Sequence, residues 1–118
     1  MPGISIHVVD VSRGVVASGM RVELFAVAGD SSRRMIASGI VSQTGVLADP
    51  ALNRKFDPGY FEVCFHVADY YRNAIGANSS VPFLDVVSYR FGLADPEAHY
   101  HLPMKCTPWG YSCFRGGA

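Results

Sequence analysis

Short runs of β-branched and aromatic residues recur along this chain, and turn-forming residues separate them. The run ISIHVVDV near the start has five β-branched residues among eight, and MRVELFAV alternates apolar with polar residues over its first five positions. In the second run this alternation places Val22, Leu24 and Ala26 on one face of a strand. Gly, Asp and Ser cluster between the runs, as in RGVVASG, AGDSS and SQTG. The pattern is typical of strands joined by tight turns.

The same pattern continues along the chain and predicts seven or eight strands in all. Further strands are predicted in RRMIASGIV, YFEVCFHV, FLDVVSYRFGLAD, HYHLPMKCT and GYSCFRG. The segment ADYYRNAI favours one short helix, because Ala68, Tyr71 and Ile75 lie roughly on one side of it. Pro103 argues against a fully bonded central strand in HYHLPMKCT, since proline cannot donate to the ladder. The chain is therefore predicted to be an all-β, two-sheet sandwich with one short helix.

Composition narrows the class of protein further. The chain has 118 residues, 49% of them hydrophobic and 17% charged, with ten basic and ten acidic side chains. This predicts one globular domain over residues 1–118, with no charge pattern for binding nucleic acid or an anionic membrane. There is no apolar run of about 20 residues and no basic leader followed by an apolar stretch. Three cysteines without CxxC spacing suggest reduced thiols in a cytoplasmic protein, with Cys64 packed in the core.

Two longer segments then point to a known family. The sequences IHVVDVSRG at 6–14 and DPEAHYHLPMKCTPWGYSCFRGG at 95–117 resemble the two signature segments of the transthyretin and 5-hydroxyisourate hydrolase family. SGIVSQTG and DPGYFEVCFHVADYYRN follow in the family's order, so the resemblance covers nearly the whole chain. It implies a transthyretin-like sandwich that assembles as a homotetramer, a dimer of dimers, around a central channel.

The resemblance also implies two possible uses of that channel. In the hydrolase branch, the channel mouths open a ring amide of the small molecule 5-hydroxyisourate with water, and neither a metal nor an organic cofactor takes part. In the carrier branch, the same channel binds thyroid hormone and performs no chemistry. The branches differ in the first strand, where hydrolases have histidine and carriers have lysine. His7 occupies that place and favours the enzyme.

A second histidine matches the hydrolase pattern at the end of the HYH motif. His101 and His7 are therefore the candidate catalytic acid–base pair, because imidazoles exchange protons near neutral pH. Alternation places His99 on the same face as His101 but nearer the strand end, where a structural role is expected. His66 has no role that the resemblance assigns.

Other positions depart from the hydrolase pattern. The hydrolase arginine after the third strand is replaced by Val46, and losing such a charge-stabilising group costs about 100- to 1000-fold in rate. The hydrolase C-terminus Tyr-Arg-Gly-Ser reads Phe114, Arg115, Gly116 and Gly117 here. The phenol and the hydroxyl are thus absent, while the arginine and the first glycine remain.

A lysine is new to the channel face. Hydrolases have three aliphatic residues after the proline of HYHxP, and this chain has Met104, Lys105 and Cys106. Alternation places Lys105 on the face of His101, and it also turns Cys106 and Cys113 away, towards packing roles. Lys105 either extends to solvent, stabilises an anion in place of the arginine, or acts as a base or imine-forming amine. The expected substrate-contacting residues are Val46, Ser112, Phe114, Arg115 and Gly116, although alternation turns the Arg115 side chain away.

Three functional hypotheses follow. The leading one is a hydroxyisourate-hydrolase-like enzyme with a changed site, in which His7, His101 and Lys105 act on a small heterocyclic metabolite. In this hypothesis hydrolytic ring opening is the expected reaction, and isomerisation or cyclisation is the alternative. The second is an ordinary 5-hydroxyisourate hydrolase of purine catabolism that tolerates the replacements. The third is a non-catalytic carrier, favoured by the lost polar groups and by Phe114.

Overall fold

The computed structural model describes residues 2–76 and 80–117, which form two four-stranded sheets and one α-helix. One 3-10 turn, Pro50–Leu52, lies between the fourth and fifth strands. In chain order the elements are β1 Gly3–Asp10, β2 Val15–Val16, β3 Arg21–Val27, β4 Arg33–Ile40, β5 Gly59–His66, α1 Val67–Ile75, β6 Val86–Leu93, β7 His99–Thr107 and β8 Gly110–Cys113. The sandwich, the eight strands and the single short helix confirm the fold class predicted from the sequence.

The two sheets pack face to face around one apolar core. The first sheet has the strand order β2-β1-β7-β8 and the second has β4-β3-β5-β6. Within the first sheet, β1 and β7 are parallel and pair along eight residues, from Gly3 opposite His99 to Asp10 opposite Cys106. Among the described residues no helix is long and apolar enough to cross a membrane.

Alternation in the central strands of the first sheet separates the core from the candidate site. The inward side chains of β1 and β7 are buried at 4% exposure or less: Ile4, Ile6, Val8 and Asp10 on β1, and Tyr100, Leu102, Met104 and Cys106 on β7. The side chains between them are only partly buried or exposed, and they face outwards: Ser5, His7, His99, His101, Pro103 and Lys105. Burial of the apolar set therefore fixes which face carries the histidines.

Three local features differ from the sequence expectation or refine it. The link RGVVASG contains the two-residue strand β2, which pairs with the end of β1. The last strand ends at Cys113, earlier than the segment GYSCFRG suggested. Pro103 lies within β7, an inner strand, opposite His7. The β8 ladder begins only at Met104, so the missing N–H of Pro103 lies outside that ladder.

Cys64 is buried as expected, but it is not part of the core between the sheets. It lies on the outer face of the second sheet, where its Sγ is 3.7 Å from Glu62 Oε2 and 3.6 Å from Ser88 Oγ. Arg33 donates to Glu62 over 2.9 Å and Arg90 donates to it over 3.1 Å. Burial raises the pKa of Glu62, but the hydrogen bonds from the two arginines outweigh burial and leave it lowered. The thiol is thus covered by an ion-pair cluster.

A buried carboxylate joins the helix to the first sheet. Asp10 is fully buried and accepts hydrogen bonds from Tyr70 at 2.8 Å, Tyr71 at 2.7 Å and Ser12 at 2.6 Å. Burial raises the pKa of Asp10, but these bonds together outweigh burial and leave it below its usual value. Burial and the nearby carboxylate also raise the pKa of Tyr70 to about 12. The cluster therefore consists of a carboxylate and protonated phenols at neutral pH.

Removing one phenol should expose how much the cluster contributes to stability. We expect Tyr71→Phe to lower the free energy of unfolding by about 1–3 kcal/mol at pH 7, because a buried charge loses a donor. Since the pKa of folded Asp10 is depressed, this penalty should shrink as the pH falls below 3.8. Urea titrations at both pH values measure it. Tyr60→Phe, at a side chain that is 66% exposed, is the matched control. An equal loss in both variants would contradict the prediction.

Candidate functional site

His7 is held between β7 and a bridging segment. Its Cα faces that of Pro103 on one side, and it forms an antiparallel bridge with Val46 on the other. The N–H of Val8 donates to the carbonyl of Gly45 over 2.9 Å, which anchors the bridge. Gly45 has φ +86°, and a Cβ there would lie 2.7 Å from His7 Nε2. A glycine is therefore required beside the imidazole for both conformational and steric reasons.

His101 lies next to a serine and to the third histidine on this face. Ser5 Oγ is 2.6 Å from His101 Nδ1 and 2.8 Å from His99 Nε2. Ser5 faces His101 across the parallel ladder, which brings the hydroxyl between the two rings. Ser5 was not among the site residues predicted from the sequence. Its only signal was position, since it stands two residues before His7 and therefore shares that side chain's face.

The C-terminal segment packs against the other edge of the His101 ring. The N–H of Gly116 donates to the His101 carbonyl over 2.7 Å. A Cβ at Gly116 would lie 2.8 Å from His101 Cδ2, so a larger residue there would displace the ring. Among the described residues, His101 Nε2 has no hydrogen-bond partner, so this nitrogen is free to bind another molecule.

The surroundings of His101 favour its neutral form. Burial lowers the pKa of His101, and the charges that His7 and His99 can carry lower it further. The imidazole is therefore largely unprotonated at neutral pH and can accept a proton from water.

The structure places Lys105 and Ser112 away from His101. They face each other across β7 and β8, and both are exposed. Lys105 lies four residues beyond His101, a separation of about 13 Å at the rise of a β-strand. It is closer to His7, since it lies two residues from Pro103. Lys105 is exposed in the single chain, because the outer face of the sheet is open.

The remaining candidates occupy both faces of the C-terminal segment. Phe114 is 43% exposed. The Arg115 guanidinium lies 4.0 Å from the ring centre of Tyr100, an inward residue, so it points away from the histidines as alternation predicted.

The two C-terminal cysteines have packing roles. Cys106 is buried in the core, and Cys113 packs against the core. Burial raises the pKa of both thiols to about 11, which disfavours the nucleophilic thiolate.

Other polar groups of the sequence have structural roles. His66 Nε2 lies 2.6 Å from Glu23 Oε1. Both residues belong to the second sheet, whereas the other three histidines lie in the first sheet. In the described ranges, no group of three or more His, Cys, Asp or Glu residues is placed to hold a metal ion. The outer face of the first sheet thus offers two acid–base imidazoles, a third imidazole and a hydroxyl.

One pocket adjoins this face and another lies apart from it. A pocket of about 310 Å³ includes Ser5 and Val46 in its wall and has room for a small ring compound. A larger one, of about 440 Å³, lies between α1, Phe83 and Trp109 and contains none of the histidines. Neither pocket is lined by a histidine. We assign the candidate site to the open face over His7 and His101, beside the smaller pocket, because chemical groups and not volume identify a site.

Curated relatives resemble this chain over nearly their full length. A 5-hydroxyisourate hydrolase from Deinococcus radiodurans is 41% identical over 116 residues, which cover 98% of this chain and 96% of the relative. A 5-hydroxyisourate hydrolase from Halalkalibacterium halodurans is 37% identical over 114 residues, which cover 96% of both chains.

Solved structures give the same architecture. A crystal structure of (S)-allantoin synthase superposes with a TM-score of 0.86 at 30% identity, covering 98% of this chain and 43% of that one. Sea bream transthyretin in complex with thyroxine superposes with a TM-score of 0.83 at 24% identity, covering 98% and 96%, and supports the fold alone. The HIUase/Transthyretin family model matches residues 4–116. The chain therefore belongs to the HIUase/Transthyretin family.

Proposed function

We propose that this protein is a 5-hydroxyisourate hydrolase, which was the second hypothesis from the sequence. The observation that carries the proposal is the joint placement of His7 and His101 on one open face of the first sheet. The names of the similar full-length hydrolases support the substrate. The leading sequence hypothesis, a site changed for another substrate, has weaker support, since the relatives point to the ordinary hydrolase.

The proposed reaction needs one proton acceptor and one proton donor. His101 Nε2 takes a proton from water, and the water oxygen attacks the ring carbonyl carbon. The ring C–N bond then breaks, and protonated His7 donates a proton to the leaving nitrogen. The lowered pKa of His101 suits the first role. Each imidazole contributes about 100- to 10,000-fold in such catalysis.

Negative charge on the carbonyl oxygen requires a stabilising group. Val46 cannot supply one, and Lys105 is the candidate replacement, because its side chain can reach a substrate that lies over His7 and Pro103. Phe114 and Gly116 would form the wall, and Ser112 would accompany the lysine. Arg115 would contribute by fixing the segment and not by touching the substrate, given its contact with Tyr100.

The proposed setting follows the family. Residues 1–118 would act as one domain in a cytoplasmic homotetramer, without metal or organic cofactor. Exposed Trp109 and Tyr111, together with Phe114, line the edge of the first sheet and offer apolar surface for another copy. Light scattering coupled to size exclusion measures the subunit number, and a monomer at micromolar concentration would contradict the tetramer.

A coupled assay tests the function. Urate oxidase generates 5-hydroxyisourate, and its decay is followed with and without this protein. We expect decay far above the spontaneous rate. If the protein is folded but does not accelerate the decay, the proposal is wrong. The hypothesis of a changed substrate is then favoured, and Val46 and Phe114 are the residues that support it. Thyroxine binding without turnover would instead support a carrier.

His101→Asn should remove most of the activity. We expect kcat/KM to fall at least about 100-fold, because the proton acceptor is lost. In the unaltered protein the rate should fall with acid, with a midpoint below 6.5, since protonation of His101 removes the base. His66→Asn is the matched control on the second sheet and should retain turnover. Comparable losses in both variants would remove the assigned role of His101.

Lys105→Met should lower activity without lowering stability. We expect kcat to fall by about 100-fold, the lower end for losing one group that stabilises the oxyanion. The melting temperature should stay unchanged, because Lys105 is exposed. Lys55→Met, at an exposed lysine paired with Glu97, is the control for removing a surface charge. Full activity in Lys105→Met would mean that the lysine only extends to solvent.

A further inference from the structure

We propose that Ser5 is a positioning residue that transfers a proton between His101 and His99, and thereby changes His101 from a base into an acid during turnover. This inference rests on the proposed function of His101. It starts from the two short distances at Ser5 Oγ, 2.6 Å to His101 Nδ1 and 2.8 Å to His99 Nε2.

A serine hydroxyl has one proton to donate. When it lies between two ring nitrogens, it donates to one of them and accepts from the other. One of the two nitrogens must therefore carry a proton while the other is bare. The protonation of His99 and that of His101 are consequently coupled through Ser5, although the two rings need not touch.

This coupling gives His101 two neutral forms with opposite chemistry. In the first, His101 Nδ1 carries the proton and donates to Ser5, Ser5 donates to His99 Nε2, and His101 Nε2 is a free base. In the second, His99 Nε2 donates to Ser5, Ser5 donates to His101 Nδ1, and the proton of His101 is on Nε2. The first form can accept a proton from water, and the second can donate one.

The reaction converts one form into the other with every proton accounted for. His101 Nε2 takes a proton from the attacking water, its Nδ1 proton passes to Ser5, and the Ser5 proton passes to His99 Nε2. His101 is then neutral and carries its proton on Nε2, while His99 is the cation. When His101 later gives the Nε2 proton to His7, which has lost its own to the leaving nitrogen, the two transfers run back and restore the first form.

The location of the rings favours moving the charge in this direction. Burial disfavours a charge on His101, as does a charge on His7. His99 begins β7 at the strand end, opposite Gly3. The other cations of this region act less directly, since Lys105 lies farther along β7 and Arg115 is turned towards Tyr100. The cation therefore forms at the end of the strand instead of between the catalytic rings.

Nitrogen NMR tests the coupling without any substrate. Long-range spectra of ¹⁵N-labelled protein report which ring nitrogens carry protons, and single His→Gln variants assign the four histidines. As the pH is lowered, we expect the His101 proton to move from Nδ1 to Nε2 before His101 itself becomes charged. Ser5→Ala should abolish this shift, Ser5→Thr should keep it, and the His66 signals should not change. An identical His101 tautomer at every pH, or an identical shift in Ser5→Ala, would overturn the proposal.

Kinetics test its use in turnover. We expect Ser5→Ala to lower kcat about 10- to 100-fold with little change in KM, less than the loss at His101 itself. Ser5→Thr should restore most of kcat, since it keeps the hydroxyl and suits a strand. His99→Ala should match Ser5→Ala, and the double variant should lose no more than either one. Additive losses or full activity in Ser5→Ala would contradict the relay. If NMR shows the relay but the protein does not hydrolyse 5-hydroxyisourate, the proposed function is wrong and the relay still stands.

Discussion

The parallel pairing of β1 with β7 is the constraint on which the site depends. It joins segments that are more than 90 residues apart and matches eight consecutive Cα pairs. Because side chains alternate along both strands, one register decides that the apolar residues enter the core and that the histidines face out. A shift of one residue in β1 would bury Ser5 and His7, and the same shift in β7 would bury His101. Either shift would also expose the apolar side chains of the core.

The chemistry of the outer face then follows from partial burial. His101 is sheltered enough for its pKa to fall, yet its Nε2 stays free of partners among the described residues, and the nearby hydroxyl of Ser5 orients the ring. On the inner face of the same sheet, the buried titratable group is charged instead of neutral. There Asp10 keeps its charge in full burial, because three hydroxyl groups donate to it. Strand β1 thus carries the buried carboxylate of Asp10 only three residues from His7, the other candidate acid–base imidazole.

Alternation in the sequence predicted most of this arrangement. It placed His101 and Lys105 on one face and turned Cys106, Cys113 and Arg115 away, and the positions in the structure agree. His7 came from the resemblance to the family. What alternation could not supply was distance. Serine is common on exposed strand faces, so Ser5 gave no signal until pairing across the sequence brought it to His101. The same lack of long-range information misplaced Cys64, since its surroundings depend on Arg33, which comes from another strand.

The two glycines beside the histidines have a consequence for how such a site can diverge. Each ring lies where a single methyl group would intrude, at Gly45 for His7 and at Gly116 for His101. At Gly117, in contrast, an added methyl group would meet no atom of the described residues within 4 Å, and Val46 projects its side chain beside the pocket. Natural variation and protein engineering therefore have unequal freedom here. Substitutions at Val46 and Gly117 can change which ligand binds. The orientation of the two imidazoles, in contrast, requires that Gly45 and Gly116 are kept.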